Sequence, residues 1–201
     1  MTPILTDVRK AEIAEAEAQD IVPYPGMPIT EEELMRLPND GHKWELEDGR
    51  LTEVPTEFAH DAIGINLVLL LGPHSRGLGF MSSGQAGFRM TDGNVRAPDV
   101  SFTRKERIPG GKPGYEFGSV APDLCVEIIS PSERRADMAR KVREYFDGGA
   151  VQVWHVFPER QQVTVFTSPT ETQTLDAGGI LDAGGLLPGF SCRVADLFIL
   201  E

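Results

Sequence analysis

Cysteine is nearly missing from this 201-residue sequence, which has only Cys125 and Cys192. Two distant thiols build neither a disulfide framework nor a zinc site, which needs three or four ligands at close spacing. Long apolar runs are missing too. The best, Ala62 to Leu71, falls well short of the roughly 20 residues that span a bilayer, so no membrane association is expected. The N-terminus lacks a basic start followed by an apolar core, so no secretory signal is expected and a reducing cytoplasm is the expected compartment. Positive charge is also short. Lys and Arg number 19 against 31 Asp and Glu, for a net charge of −12. That sign argues against unassisted nucleic-acid binding. The deficit is uneven, however: residues 1–60 hold 14 acids and 5 bases, whereas residues 96–143 hold 10 bases and 7 acids. A locally positive cleft on an acidic protein is therefore compatible with DNA.

What is present is an ordinary globular composition, 40% hydrophobic and 25% charged, in a chain long enough for one well-buried core. Residues 1–25 read as an N-terminal extension, with helix propensity over 8–20 but a thin apolar face, and 26–201 as a single domain. Thr30 followed by Glu33 is a capping box for a helix over Glu31 to Leu37, ended by Pro38-Asn39-Asp40-Gly41. Strands from Lys43 to Glu47 and Arg50 to Val54 flank Asp48-Gly49, a two-residue hairpin signal. Glu57 to Leu71 carries a helical apolar stripe of Ile63, Leu67, Leu70 and Leu71, with Gly72-Pro73 as its stop. Strands follow over Gly77 to Phe80, Ala86 to Met90 and Arg96 to Phe102. A Gly- and Pro-rich loop then spans 109–119.

Leu124 to Ile129 is too continuously apolar for a surface strand and belongs in the centre of a sheet. A helix from about Glu133 to Phe146 follows, then strands over Val151 to Phe157 and Gln162 to Phe166, and a short Val194 to Leu200 element. This order predicts a mixed α/β (α+β) domain.

One residue breaks the apolar strand: Glu127. A second acid, Asp99, opens the run Val100-Ser101-Phe102. Burying a carboxylate costs several kcal/mol unless a cation or hydrogen bonds compensate it. Two acids on paired strands make a divalent metal site, and a metal-dependent hydrolase, the first chemistry to test. On the next helix Asp137 and Lys141 are four apart and share a face, with Arg134 one turn earlier. Lys141 could then reach the acids and add fixed positive charge.

Each residue also has a plainer role. Asp99 and Asp123 follow prolines, where Asp commonly caps a turn. Glu127 suits a structural ion pair with Arg135 or Lys141, and Asp137 with Lys141 suits an exposed helix pair. His60 and His74 read as helix-surface or cap residues, His155 as facing solvent or a sheet edge. Trp44, Tyr145 and Trp154 read as packing residues.

The sequence resembles the Uma-type family of restriction endonucleases, a branch of the PD-(D/E)XK nuclease superfamily, from about residue 30 to 200. The segments that carry the resemblance are Trp44-Glu45-Leu46-Glu47-Asp48-Gly49, Arg96-Ala97-Pro98-Asp99-Val100, and the run from Ala121 to Ser132. Arg135, Asp137, Lys141, Tyr145 and Pro188-Gly189-Phe190-Ser191 follow in order.

The resemblance implies a restriction-endonuclease-like core: a central mixed sheet flanked by helices, preceded by an N-terminal hairpin. It implies Asp99 and Glu127 as metal ligands, joined by the Ile128 backbone carbonyl. Lys141 stands in for the superfamily lysine that position 129, an isoleucine, lacks. Glu45 matches the family's hairpin acid, and Asp137 and Arg135 are supporting residues. The implied activity is Mg²⁺-dependent hydrolysis of DNA, with Mn²⁺ as a substitute, in a homodimer. The alternative is a nuclease-like fold kept as a binding or assembly module with little catalysis, motivated by the −12 charge and by Ile129. A third reading is a metal-free fold in which Glu127 only anchors Arg135.

Overall fold

The computed structural model describes residues 21–38, 41–54 and 57–199. The helix expected over 8–20 lies outside them, as do Asn39 and Asp40 of the expected helix stop. The described chain forms two compact units, residues 21–54 and residues 57–199.

In the first unit, the Thr30 hydroxyl accepts from the Glu33 amide and the Glu33 carboxylate accepts from the Thr30 amide. This reciprocal cap starts helix α1, Glu31–Met35. Strands β1, Lys43–Glu47, and β2, Arg50–Val54, form the expected antiparallel hairpin. Both turn residues have positive φ, 49° at Asp48 and 73° at Gly49, as a two-residue turn matched to the strand twist requires.

The second unit is built on a six-stranded mixed sheet. Its strands are β3 (Gly79–Ser83), β6 (Val100–Arg104), β7 (Leu124–Ile128), β8 (Gln152–Phe157), β9 (Gln162–Phe166) and β10 (Thr172–Leu175), in the order β10-β9-β8-β7-β6-β3. β7 and β8 run parallel, joined through helix α3, Arg135–Asp147; the remaining pairs are antiparallel. A parallel pair needs such a crossover, and a helix is its usual form.

Side chains on β7 alternate between two cores. Leu124, Val126 and Ile128 pack with Ile63, Leu67 and Leu71 of helix α2, Phe58–Ser75. Cys125 packs on the other face with Val142 and Tyr145 of α3. The sheet is therefore flanked by helices, as the resemblance implied.

Two short strands, β4 (Phe88–Arg89) and β5 (Val95–Arg96), pair antiparallel before β6. Expected strands here are shorter or shifted. Arg96 to Phe102 breaks at Ala97-Pro98-Asp99, because Pro98 cannot donate to a ladder. Helix α2 runs past its expected stop to Ser75, with Pro73 inside its last turn. Proline forfeits only one helical bond there, and the Ser75 hydroxyl bonds the Gly72 carbonyl at 2.9 Å.

The sequence Asp-Ala-Gly-Gly occurs at 176–179, just before β11, Ile180–Asp182, and again from the last residue of β11, at 182–185; β11 pairs with β12, Ser191–Arg193. Leu181, Leu187, Val194 and Leu197 from this region complete the core over α2. Asn66 anchors it by donating to the carbonyls of Asp196 and Leu197, both at 2.9 Å. No helix among the described residues is long and apolar enough to cross a membrane.

Candidate active site

The sheet brings Asp99 and Glu127 to adjoining strand ends. Val100 of β6 lies opposite Val126 of β7, so Asp99 falls just beyond the ladder, level with the end of β7. Its Oδ2 accepts a 2.8 Å hydrogen bond from the Ile128 amide. That amide belongs to the peptide that follows Glu127.

Alternation turns Glu127 toward α3, away from the α2 core. It is 5% exposed. Its Oε1 accepts a hydrogen bond from the Tyr145 hydroxyl and lies 3.5 Å from Lys141 Nζ. Tyr145 and Lys141 are four apart on α3, so one helix face supplies both. A cation and a hydroxyl donor together compensate the buried charge.

His60 enters from the first turn of α2. Its Nε2 is 2.8 Å from the Ile128 carbonyl oxygen and 3.2 Å from Asp99 Oδ2. A carbonyl only accepts, so Nε2 carries the hydrogen in this contact. The carbonyl that the sequence reading assigned to a metal is thus engaged by an imidazole. The expectation of His60 as a helix-surface or cap residue does not hold: its ring is part-buried and engaged with the end of β7. The side chain spends itself on the end of β7 because α2 packs across that strand, a placement no local pattern encodes.

Glu45 sits on β1 of the first unit, opposite Thr52 across the hairpin. Asp137 and Arg135 are exposed in the first turn of α3. Asp123 is a structural acid: it accepts from the Arg104 amide at 2.9 Å and from Arg104 Nε at 2.7 Å, and lies 3.3 Å from Arg107 Nη1. Arg96 is fully buried and makes a two-pronged pair with Glu144, at 2.5 and 3.0 Å.

His155 overturns its expected exposure. It pairs in register with Glu127 and is 4% exposed, because β8 lies between β7 and β9 rather than at an edge. Burial, reinforced by the positive charge of Lys141, lowers its pKa to about 4, so the ring is neutral at pH 7.

Mg²⁺ prefers oxygen donors and is commonly held by one or two carboxylates while keeping several waters. Asp99, Glu127 and the Ile128 carbonyl suit it in kind. As arranged they do not fit it well. Glu127 Oε1 already holds Tyr145 and Lys141, and the carbonyl holds His60. Among the described residues there is no group of three or more His, Cys, Asp or Glu side chains able to hold a metal.

A central mixed sheet flanked by helices, with two acids at adjoining strand ends and a lysine on the crossover helix, defines a nuclease-like fold. Residues 31–195 match the family model Uma2, described as "Putative restriction endonuclease", and the chain belongs to that family. Among solved structures it is similar to a "putative nuclease belonging to DUF820" from Anabaena variabilis. The TM-score is 0.75 at 22% identity, over 86% of this chain and 99% of that one, a likeness of fold. No curated protein matches the chain.

Proposed function

We propose that this chain is a nucleic-acid-binding protein on a nuclease framework, with an acid pair stabilised by its own side chains and little hydrolytic activity. The observation that carries this reading is the engagement of each expected metal donor: Glu127 by Tyr145 and Lys141, the Ile128 carbonyl by His60, and Asp99 by the Ile128 amide. The exposed bases Lys105, Lys112, Arg134, Arg135 and Arg143 supply charge that a phosphate backbone attracts, despite the net −12.

A second reading, Mg²⁺-dependent cleavage of DNA, is favoured by the hydrogen bond that joins Asp99 to the peptide after Glu127, with Lys141 beside it. In that reading Asp99, Glu127 and the freed Ile128 carbonyl would hold the ion, and His60 would first have to turn aside.

The two are separated by incubating supercoiled plasmid with the wild-type chain, Glu127→Ala and Lys141→Ala, with Mg²⁺ and with Mn²⁺. Fluorescence anisotropy with labelled DNA runs alongside. Binding without cleavage above the variant background supports the binding reading. Metal-dependent cleavage that disappears in both variants overturns it, and so does the absence of any binding.

A further inference from the structure

Beside the acid pair, a groove of about 490 Å³ opens between α3 and the ends of β8 and β9. His155, Phe157 and Phe166 line it, and the rings brace one another: the His155 ring centroid is 4.8 Å from that of Phe166 and 6.3 Å from that of Phe157, both edge-on. Arg135, Arg143 and Arg160 bring positive charge to the same groove and are exposed, as an entrance to solvent requires. The Arg160 guanidinium lies over the Phe157 ring, 5.6 Å from its centroid. Two acids, Glu133 and Glu159, also line the groove, leaving an excess of one positive charge. Glu133 is partly spent, accepting from the Ser130 amide at 2.9 Å.

Nε2 of His155 is buried and has no hydrogen-bond partner. Buried polar atoms are overwhelmingly paired, and one left unpaired is costly. An aromatic wall, one unsatisfied ring nitrogen and a cationic margin together match a flat heterocycle with a polar edge, carrying an anionic group. That is the chemistry of a nucleotide. The volume falls within the roughly 300–1,000 Å³ usual for small-ligand pockets. The position also suits a strand that passes the acid pair, since His155 and Glu127 are register partners on neighbouring strands, about 4.8 Å apart.

We propose that this groove is a nucleotide subsite, with one base placed against His155 and the phenyl rings and its phosphate on the arginine margin. The choice of ligand rests on the nucleic-acid reading above. Base contact gives the site selectivity, through the single hydrogen bond Nε2 can make. The phosphate contact is independent of sequence.

The test is NMR of the full chain with ¹⁵N-labelled histidine, the His155 signals being assigned by their loss in His155→Gln. The probes are deoxythymidine 5′-monophosphate, deoxyribose 5-phosphate and a thymidine tetranucleotide. The proposal expects a saturable shift of His155 Nε2 with the mononucleotide, and at least tenfold weaker binding by Arg143→Ala with Arg160→Ala. Deoxyribose phosphate should leave Nε2 unshifted. Tighter binding of the tetranucleotide identifies a strand as the natural source, and tighter binding of the monophosphate a free nucleotide; either supports the subsite. Saturable tetranucleotide binding with His155 unmoved overturns the subsite and leaves the nucleic-acid reading standing. A His155 shift with the monophosphate but no binding of longer DNA does the reverse. No His155 shift with any probe also overturns the subsite.

Discussion

Asp99 holds the backbone beside Glu127: its carboxylate accepts a 2.8 Å hydrogen bond from the Ile128 amide. The acid that sequence reasoning marks for metal binding thus has a structural task at the end of β7. Asp99→Ala leaves a donor without its acceptor and should cost about 1–3 kcal/mol. Asp99→Asn keeps an acceptor oxygen and should recover most of that. Urea unfolding of the three proteins checks the order, and equal midpoints would contradict it.

Glu144 meets Arg96 in two charge-assisted hydrogen bonds and accepts a third, at 3.1 Å, from Asn94. Removing the carboxylate takes two charge-assisted hydrogen bonds from a fully buried guanidinium. Glu144→Ala should therefore lose roughly 3–5 kcal/mol. Arg140 also approaches Glu144, at 3.7 Å, but is partly solvated, so Arg140→Ala should lose about 1 kcal/mol or less. Thermal or urea denaturation separates the two variants if the account of this pair is correct.

His155 predicts a pH dependence with a definite sign. Its folded pKa of about 4 lies below the ordinary histidine value of 6.5, so the unfolded chain binds the proton more readily. The neutral ring's contribution is present above pH 6.5 and is lost as pH falls toward 4. A shift of this size corresponds to about 3 kcal/mol. His155→Phe keeps an aromatic ring among Phe157 and Phe166 without the titrating nitrogens, and should flatten the stability profile across that window. An unchanged slope would show that other groups set it.

The thiols should be quiet. Burial and the neighbouring Glu127 charge push the Cys125 thiol well above its ordinary pKa, and burial with Asp196 raises Cys192 to about 11. Because the thiolate is the reactive form, a disulfide reagent at pH 8 should modify Cys192 slowly and Cys125 only on unfolding. Rapid native labelling of Cys125 would contradict its placement under α3.

Much of the fold was legible because its signals are local. The Asp48-Gly49 turn, the capping box at Thr30 and the apolar run around Glu127 each follow from a few neighbouring residues. Asp99, Glu127 and Lys141 were visible by order and resemblance, and the structure draws Asp99 to the peptide after Glu127 and Lys141 to its carboxylate. His60 was missed because its partner, the Ile128 carbonyl, is a backbone atom 68 positions away and carries no sequence signature. His155 was misread because a histidine between Trp154 and Val156 fits either sheet face. Its burial depends on β8 lying between β7 and β9 and on the Phe157 and Phe166 rings packed edge-on against it. Pro73 was read as a stop because its penalty is large mid-helix and small in a last turn.

Calorimetric titration of Mg²⁺ and of Mn²⁺ into the wild-type chain and into Glu127→Ala tests the central claim most directly. If Tyr145, Lys141 and His60 satisfy the site from within, both proteins give the same small heats without saturation. Saturable binding by the wild-type chain that is lost in Glu127→Ala would contradict that account and return the acid pair to metal-dependent cleavage.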